Sequence, residues 1–311
     1  MALIDPEYPS DPGTGLVVVV GSANADLVTA VDRRPGAGET VPGSDPEVLP
    51  GGKGANQALA AGLLGANVAF VGCIGRDTNG DLLASSLHRA GVDLSHLRRV
   101  DTPTGLAIIA VTPDGDNSII VTPGANACVS DVDIDKIAPL VAAAAVMVLQ
   151  MELPAPVVAR AARIAGTVGT RVVLNLSPSA PLDDDVLGLC DPLVVNEHEA
   201  MFLLGPDAAG QDPRALAAML RRRGARSVVI TTGAAGAVVA GEGGIVHVPA
   251  PQVSAVDTTG AGDAFTGALA WRLACGETLA DAAGYAVRVG SYAVRGKGAQ
   301  TSFPTRDSVL P

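Results

Sequence analysis

The sequence has 311 residues, enough for one large α/β domain with an appendage or for two smaller domains. Its content of 48% hydrophobic and 17% charged residues is typical of a globular protein and excludes a disordered chain. With a formal net charge of −11, the chain is not expected to bind nucleic acid through the phosphates.

The start of the chain, residues 1–15, is acidic and rich in proline, without the basic start and hydrophobic stretch of a signal peptide. We expect a flexible leader over residues 1–15 and one α/β domain over residues 16–311. The most apolar stretch, Ile137–Met151, is shorter than the roughly 18 residues that a membrane span needs. A membrane partner is therefore not expected.

The cysteines are widely spaced and form no CxxC pair, which favours a reduced, cytoplasmic protein over one held by disulfides. They are Cys73, Cys128, Cys190 and Cys275. The histidines also lack metal-ligand spacing, so no zinc site is expected.

Apolar, β-branched runs alternate with alanine-rich helical patterns along most of the chain. Runs without strict polar alternation are typical of strands covered on both faces. The predicted strands are Leu16–Gly21, Asn67–Gly72, Val146–Gln150, Arg171–Leu176, Pro192–Asn196 and Ser227–Thr231. The predicted helices are Gly54–Leu64, Asn79–Ala90, Pro154–Thr167, Glu197–Leu204 and Pro213–Arg223. This alternation predicts a mainly parallel sheet with right-handed crossovers.

Two stretches interrupt the alternation and predict a small β-sheet lid beside the main sheet. Residues 27–50 are rich in glycine, proline and acidic residues, while residues 104–121 have the pattern of paired strands around the turn Pro113–Asp116. The strands Leu106–Val111 and Ile119–Val121 are apolar, and no helical pattern is available to cover them. Because exposed apolar strands tend to be covered by a partner, a homodimer through the lid is expected.

The segment Ala255–Phe265 (AVDTTGAGDAF) joins a glycine-rich turn directly to a helical pattern. Unpaired N–H groups and the helix dipole attract anions at such a helix start. Asp263 lies where the anion would bind, which suits a carboxylate that accepts a proton. The alternative is a helix cap, because Asp is common at helix starts.

The string DTTGAGDAF resembles the C-terminal signature of the ribokinase family, part of the phosphofructokinase-B superfamily. Pro50–Ala58 contains GGKGANQA, which is similar to the first signature of that family. Shorter matches, in the family's order and spacing, are Asn24–Asp26, Asn196–Glu199, Thr231–Gly236 and Lys297–Gln300. The resemblance covers about residues 16–305. It implies a ribokinase-like three-layer α/β sandwich with a mainly parallel central sheet and a small β-sheet lid.

Several polar residues in the N-terminal half are candidates for binding a sugar. Asn24 and Asp26 follow a strand end, where open α/β sheets place ligands, although an Asx turn would explain them equally well. Asn56 could cap a helix, but the resemblance implies that it and Glu152 bind sugar hydroxyls. The complete candidate set is Asn24, Asp26, Gly52, Lys53, Asn56, Glu152 and Asp263.

The resemblance also implies an ATP site in which Glu199 helps to place Mg²⁺, a cation that keeps several waters and needs few protein ligands. Asn196 could instead simply cap the helix that follows it. One departure from the family pattern is Val287, where family members often carry a polar residue near the adenine. The implied ATP-binding residues are Asn196, Glu199, Thr231, Gly233, Gly236 and Gly262.

A monovalent cation, K⁺, is a further implication of the resemblance. Most of its ligands would be main-chain carbonyl oxygens, so the side chains test this implication only weakly. The residues concerned are Asp257, Thr259, Ala293, Gly296, Gly298 and Ser302.

The implied reaction is phosphorylation of the 5-hydroxyl of D-ribose by ATP, giving D-ribose 5-phosphate and ADP. Asp263 would accept the hydroxyl proton while the amides of Gly260, Ala261 and Gly262 stabilise the phosphoryl group. Alternatives are a kinase of another small sugar or a nucleoside, and a non-catalytic sugar-binding regulator. Ser22–Asn56 and Val100–Ala127 contain no aromatic residue, which disfavours a nucleoside. A dinucleotide-binding dehydrogenase is disfavoured because no GxGxxG follows the first strand.

Overall fold

A computed structural model describes residues 15–114 and 116–311 of the chain. The leader expected at residues 1–15 therefore lies, apart from Gly15, outside the described residues. Gly115 of the expected turn Pro113–Asp116 also lies outside them.

The described residues form strands β1 (Val17–Val20), β2 (Asn24–Ala30), β3 (Glu47–Gly51), β4 (Val68–Gly75), β5 (Asp93–Val100), β6 (Gly105–Val111), β7 (Asn117–Thr122), β8 (Val146–Leu149), β9 (Arg171–Asn175), β10 (Cys190–Asn196), β11 (Val228–Thr231), β12 (Ala237–Gly241) and β13 (Gly244–Val248). The helices are α1 (Lys53–Leu63), α2 (Thr78–Arg89), α3 (Asp131–Lys136), α4 (Ala138–Ala143), α5 (Ala155–Val168), α6 (Asp184–Leu187), α7 (Glu197–Leu204), α8 (Pro213–Arg223), α9 (Ala261–Ala274) and α10 (Leu279–Ala293).

A sheet of nine strands forms the centre of the described structure, in the order β13-β12-β11-β10-β9-β8-β1-β4-β5. Its strands pair in parallel from β5 to β11, whereas β12 and β13 pair in antiparallel fashion at one edge. The mainly parallel central sheet predicted from the sequence is confirmed.

Helices cover both faces of this sheet, and the four valines of β1 show why. Val17 and Val19 belong to an apolar cluster on the face of α1, α2, α9 and α10. Val18 and Val20 belong to a second cluster on the opposite face, with α3 to α8. Because successive strand residues point to opposite faces, a strand covered twice is apolar at every position. The three-layer sandwich follows from this double burial.

The lid is a second sheet of four strands in the order β3-β2-β6-β7. Strands β2 and β6 pair in parallel, while β3 and β7 pair in antiparallel fashion at the two edges. The small β-sheet lid is confirmed. Its first strand begins at Asn24, three residues earlier than the expected start at residue 27.

The predicted helices agree with the structure to within one residue at each end, and α7 and α8 agree at both ends. Strands β5, β12 and β13 and helices α3, α4, α6 and α10 were not predicted. Within the described residues, no helix is both long enough and apolar enough to cross a bilayer.

Candidate active site

Polar residues gather where the parallel strands of the central sheet end. Asn175 and Asn196 are the last residues of β9 and β10, and Thr231 is the last residue of β11. Gln150 and Glu152 follow β8 immediately. Because parallel strands end at one edge of a sheet, residues far apart in the sequence meet there, as ligand sites of open α/β sheets do.

The start of α9 lies at this edge. Gly260 precedes the helix with a φ of 75°, a conformation that favours glycine, and a Cβ there would lie 2.7 Å from the Cβ of Ala299. A Cβ on Gly262 would meet nothing within 4 Å. Gly260 is therefore required by the backbone, whereas Gly262 leaves open space above the first-turn N–H groups, where an anion binds.

Asp263, the third residue of α9, faces α1 with a carboxylate that is 7% exposed. Its Oδ2 accepts a hydrogen bond from Asn56 Nδ2 and its Oδ1 accepts one from Gln57 Nε2, each at 2.9 Å. The side chain caps no helix, because Gly260 occupies the cap position of α9. Asn56 is not a cap either, since α1 begins at Lys53 after Gly52. The capping interpretations of both residues are wrong.

Glu152 connects three segments beside Asp263. Its Oε2 accepts hydrogen bonds from Ser22 Oγ at 2.6 Å and from the main-chain N–H of Lys53 at 3.1 Å, and lies 3.5 Å from Asn24 Nδ2. The carboxylate thus joins the end of β1, the start of β2 and the turn before α1. This arrangement holds the sugar-binding candidates together.

Asn24 and Asp26 lie within β2 and not in a loop, so the Asx-turn alternative is wrong. Asn24 is 2% exposed, and its Oδ1 accepts a hydrogen bond from Asn126 Nδ2 at 2.7 Å. Gly52 packs against this strand start with a φ of 87°, and a Cβ there would lie 2.5 Å from the main-chain nitrogen of Asn24. Glycine is therefore the residue that allows the GGKGAN turn to approach β2.

The charges of this region shift two pKa values. Burial, reinforced by the carboxylates of Glu152 and Asp263, raises the pKa of Asp26 from 3.8 to about 7, although Lys53 opposes the change. Burial alone would lower the pKa of the Lys53 ammonium, but neighbouring carboxylates outweigh it and raise the pKa. These carboxylates belong to Asp263, Glu152, Glu199 and Asp26. Lys53 therefore stays charged, while the charge of Asp26 depends on pH near neutrality.

A small polar cavity of about 240 Å³ opens beside Asp263. Its lining includes Lys53, Asn196, Glu199, Thr231 and Gly262. The structure thus brings together residues proposed for the sugar, for ATP and for catalysis.

A second cleft of about 410 Å³ has Thr231, Thr258 and Gly262 in common with the first. Gly233 and Gly236 line it, together with an apolar wall that includes Val287. Gly236 has a φ of 102°, and a Cβ there would lie 2.0 Å from the carbonyl oxygen of Val248. A polar cavity that continues into an apolar cleft matches a nucleotide, whose phosphates are charged and whose base is flat. Val287 contributes apolar surface here and no hydrogen bond.

Asn196 and Glu199 form a reciprocal capping pair at the start of α7. Asn196 Oδ1 accepts from the N–H of Glu199, and Glu199 Oε2 accepts from the N–H of Asn196, both at 2.8 Å. The cap proposed for Asn196 is therefore present. It also holds the Glu199 carboxylate, 7% exposed, at the polar cavity. An oxygen donor held there fits Mg²⁺, which binds through few protein ligands and waters.

Most of the cation candidates lie in two adjoining loops, and Ala293 is the last residue of α10. Asp257 Oδ1 accepts from the N–H and the hydroxyl of Thr259, and its Oδ2 accepts from the N–H of Gly298 at 2.8 Å. Burial opposes the charge of Asp257, but these hydrogen bonds prevail and lower its pKa. The N–H of Gly296 bonds the carbonyl oxygen of Ala293, and a Cβ on Gly296 would touch that of Ser302 at 2.8 Å. The Asp257 carboxylate and the main-chain carbonyl oxygens of these loops are oxygen donors, the type of ligand that suits K⁺.

Several residues of these cavities were not predicted from the sequence. Asn175 is the last residue of the buried strand β9, at the edge of the sheet where ligands bind. Its position after an apolar run could therefore have identified it as a site residue. Phe265 and Ser291 line the apolar cleft. Ser291 lies one helical turn after Val287, and the 3.6-residue periodicity of α10 would have identified it.

A cavity of about 1030 Å³, larger than either of these two, lies at the other end of the central sheet. It is lined by the strand starts at Arg171, Asp191 and Ser227 and contains none of the predicted site residues. Arg171 and Asp191 pair with each other there at 3.1 Å. The volume of a cavity therefore does not by itself identify the active site.

Comparisons with known proteins agree with this geometry. The model of the pfkB family of carbohydrate kinases matches residues 14–306. Ribokinase of Haemophilus influenzae is 37% identical over 94% of this chain and 97% of its own length. Deoxyribokinase of Salmonella typhi is 35% identical over 93% of this chain and 95% of its own. The structure of Arabidopsis thaliana ribokinase complexed with ribose and ATP superposes with a TM-score of 0.85 at 34% identity, covering 95% of this chain and 97% of the other.

Proposed function

The chain belongs to the pfkB family of carbohydrate kinases, and we propose that it transfers the γ-phosphoryl group of ATP to the 5-hydroxyl of D-ribose. The products are D-ribose 5-phosphate and ADP. The observation that carries the proposal is the position of the Asp263 carboxylate, in the first turn of α9 and between the sugar-binding candidates and the polar cavity.

Proton transfer is the role proposed for Asp263. The 5-hydroxyl oxygen attacks the γ-phosphorus, the bond from that phosphorus to the bridging oxygen breaks, and ADP leaves with the electron pair. The hydroxyl proton passes to a carboxylate oxygen of Asp263. Asn56 and Gln57 each occupy one of its oxygens with a single hydrogen bond, and a carboxylate has further lone pairs for the proton.

Charge stabilisation comes from the groups around the polar cavity. The N–H groups of Gly260 and Gly262 at the start of α9 would stabilise the negative charge on the phosphoryl oxygens, whereas the N–H of Ala261 already donates to the carbonyl oxygen of Thr258 at 3.2 Å. Lys53 adds a full positive charge. Mg²⁺, when bound, would neutralise phosphate charge, and Glu199 would help to hold it, while Asn196 would contact ATP. The loops of Asp257 and Gly298 would hold K⁺ behind the same helix start.

A bare sugar is favoured over a nucleoside by the lid. Asn24 pairs with Gly105 and Asp26 pairs with Ala107 across β2 and β6, so small residues border the polar pair. The four lid strands contain no aromatic side chain that could stack on a base. Ribose offers several hydroxyls to the carboxylate and amide groups, and each unpaired buried partner costs about 1–3 kcal/mol.

The lid also supports a homodimer. Val48, Leu27, Ile108 and Ile120 are neighbours in one row across the lid sheet. Val48, Ile108 and Ile120 are 45%, 38% and 64% exposed. A continuous row of exposed apolar side chains on a sheet is the type of surface that a second copy covers. A cytoplasmic location, where ATP is available, completes the proposal.

An ADP-release assay with a panel of acceptors tests the proposal. Ribose, deoxyribose, fructose 6-phosphate and adenosine are compared at equal concentrations with ATP and Mg²⁺. Ribose should stimulate ADP release most strongly, and mass spectrometry should identify ribose 5-phosphate. Equal or faster turnover of adenosine would contradict the assignment.

A further inference from the structure

The plane of the Asp263 carboxylate is fixed by its neighbours. In aspartate the torsion next to the carboxylate is broad and roughly two-fold, so the side chain itself does not select an orientation. Here each carboxylate oxygen accepts one amide N–H, from Asn56 and from Gln57, at 2.9 Å. Two donors on two oxygens define the direction of the remaining lone pairs.

Gln57 is fully buried and is therefore out of reach of the sugar and ATP. Its Nε2 donates to Asp263 Oδ1 and to Asn175 Oδ1, and its Oε1 accepts from Gln150 Nε2 at 2.7 Å. The donor from Gln150 determines which end of the Gln57 amide faces Asp263. A reversed amide would place two acceptors against each other.

Gln300 plays the corresponding part for Asn56. Its Nε2 donates to Asn56 Oδ1 at 2.9 Å, so the Nδ2 of Asn56 is left to face Asp263. The Oε1 of Gln300 in turn accepts from Ser86 Oγ at 2.7 Å. Two chains of hydrogen bonds therefore converge on the two oxygens of one carboxylate.

The close contact of α1 and α9 makes these bonds possible. At Gly267, one turn after Asp263, a Cβ would lie 2.5 Å from the carbonyl oxygen of Gln57. A larger residue at that position would push the helices apart and lengthen the amide bonds to Asp263. The glycine thus maintains the distance on which the orientation depends.

We propose that Gln57 and Gln300 are positioning residues for the reaction, which hold the Asp263 carboxylate with a free lone pair directed at the acceptor hydroxyl. The proposal rests on the proposed role of Asp263 as the base. Gln57 is fully buried, and Gln300 acts through its hydrogen bond to Asn56. A misdirected base loses up to about a hundredfold in rate.

Gln57→Met tests the proposal, because it removes the three side-chain hydrogen bonds of Gln57 and keeps a side chain of similar length. We expect kcat to fall by about 10- to 100-fold. The affinities for ribose and for ATP, measured by calorimetry, should change by less than about twofold, because Gln57 is buried away from both. Leu59→Met, also buried in α1 but with no polar group to lose, is the matched control and should leave kcat unchanged.

A purely structural role is distinguished by combining variants. In the Asp263→Asn background, Gln57→Met should lower kcat by less than about twofold, because the base through which it acts is already absent. An equal loss in both backgrounds, or a normal kcat in folded Gln57→Met, would overturn the proposal. If Gln57→Met does not fold, Gln150→Met and Gln300→Met test the two chains separately, each with a smaller expected loss of kcat.

Crystal structures of the wild-type protein and of Gln57→Met show the orientation of the Asp263 carboxylate directly. This measurement does not depend on which sugar is the substrate. In Gln57→Met the Asp263 carboxylate should rotate or lose order relative to the wild-type protein. An unchanged carboxylate would overturn the proposal whatever the substrate is. Conversely, a wild-type protein that phosphorylates none of the acceptors, with a rotated carboxylate in the variant, would contradict the proposed function alone.

Discussion

Raising the pH from 6 to 8 should strengthen ribose binding, because Asp26 loses its proton in this interval. Burial, together with the charges of Glu152 and Asp263, raises the pKa of Asp26 to about 7. The ionised carboxylate is the better acceptor for sugar hydroxyls. If only the ionised form binds well, the competent fraction rises from roughly a tenth to roughly nine tenths, and KM for ribose falls about tenfold.

The same group should lower the stability of the free protein as the pH rises. The pKa of Asp26 is higher in the folded chain, about 7, than its ordinary value of 3.8. Its contribution to stability is therefore fully present below pH 3.8 and is lost as the pH rises through 7. The difference between the two pKa values corresponds to about 4 kcal/mol at full titration.

Asp26→Asn removes the titrating group, and Asp45→Asn on an exposed loop is the control. Steady-state kinetics at pH 6, 7 and 8 should give a pH-dependent KM for wild type and Asp45→Asn, and a higher, nearly constant KM for Asp26→Asn. Thermal melts should show Asp26→Asn gaining stability over wild type as the pH rises. A wild-type KM that does not change between pH 6 and 8, or an unaltered pH profile in Asp26→Asn, would refute the reasoning.

Three further outcomes are expected. Deoxyribose should have a kcat/KM about 5- to 150-fold below that of ribose, because one buried polar partner loses its hydroxyl; equal values would count against the proposed sugar-binding residues. Replacing a bulky organic cation by K⁺ at fixed ionic strength should raise the rate, and Asp257→Asn should weaken this response, whereas a K⁺-independent rate would make the loops purely structural. Light scattering should find a dimer that Ile120→Lys dissociates and that Val246→Lys, on the edge strand β13 of the central sheet, leaves intact; a monomeric wild type would contradict the lid interface.

Elements with a clear start signal were predicted well from the sequence. Helix α7 begins after Asn196, which forms a reciprocal capping pair with Glu199, and α8 begins after Asp212, whose side chain caps the N–H of Ala215. Strand β5 was missed because Asp93–Val100 is polar and lies at a sheet edge, where only one neighbour buries it. Such strands lack the apolar run that the prediction depended on.

The residues of the candidate site could be predicted only where they belong to a sequence motif. The order and spacing of the signatures identified Lys53, Asn56 and Asp263, which the structure brings together. The side chains that hold them were not identified, because their partners are distant in sequence: Asn126 lies 102 residues from Asn24, and Gln300 lies 244 residues from Asn56. A local pattern contains no information about such contacts.

The central claim, that Asp263 is the catalytic base, is tested most directly by turnover of Asp263→Asn. The amide keeps the size of the side chain and one of the two bonds to α1 but accepts no proton from the acceptor hydroxyl. We predict a loss of kcat of at least about 10²–10⁴-fold, with ribose and ATP still bound in calorimetry. Asp281→Asn, at the equivalent third position of α10, should retain full activity. Near-normal turnover by a folded Asp263→Asn protein would contradict the mechanism.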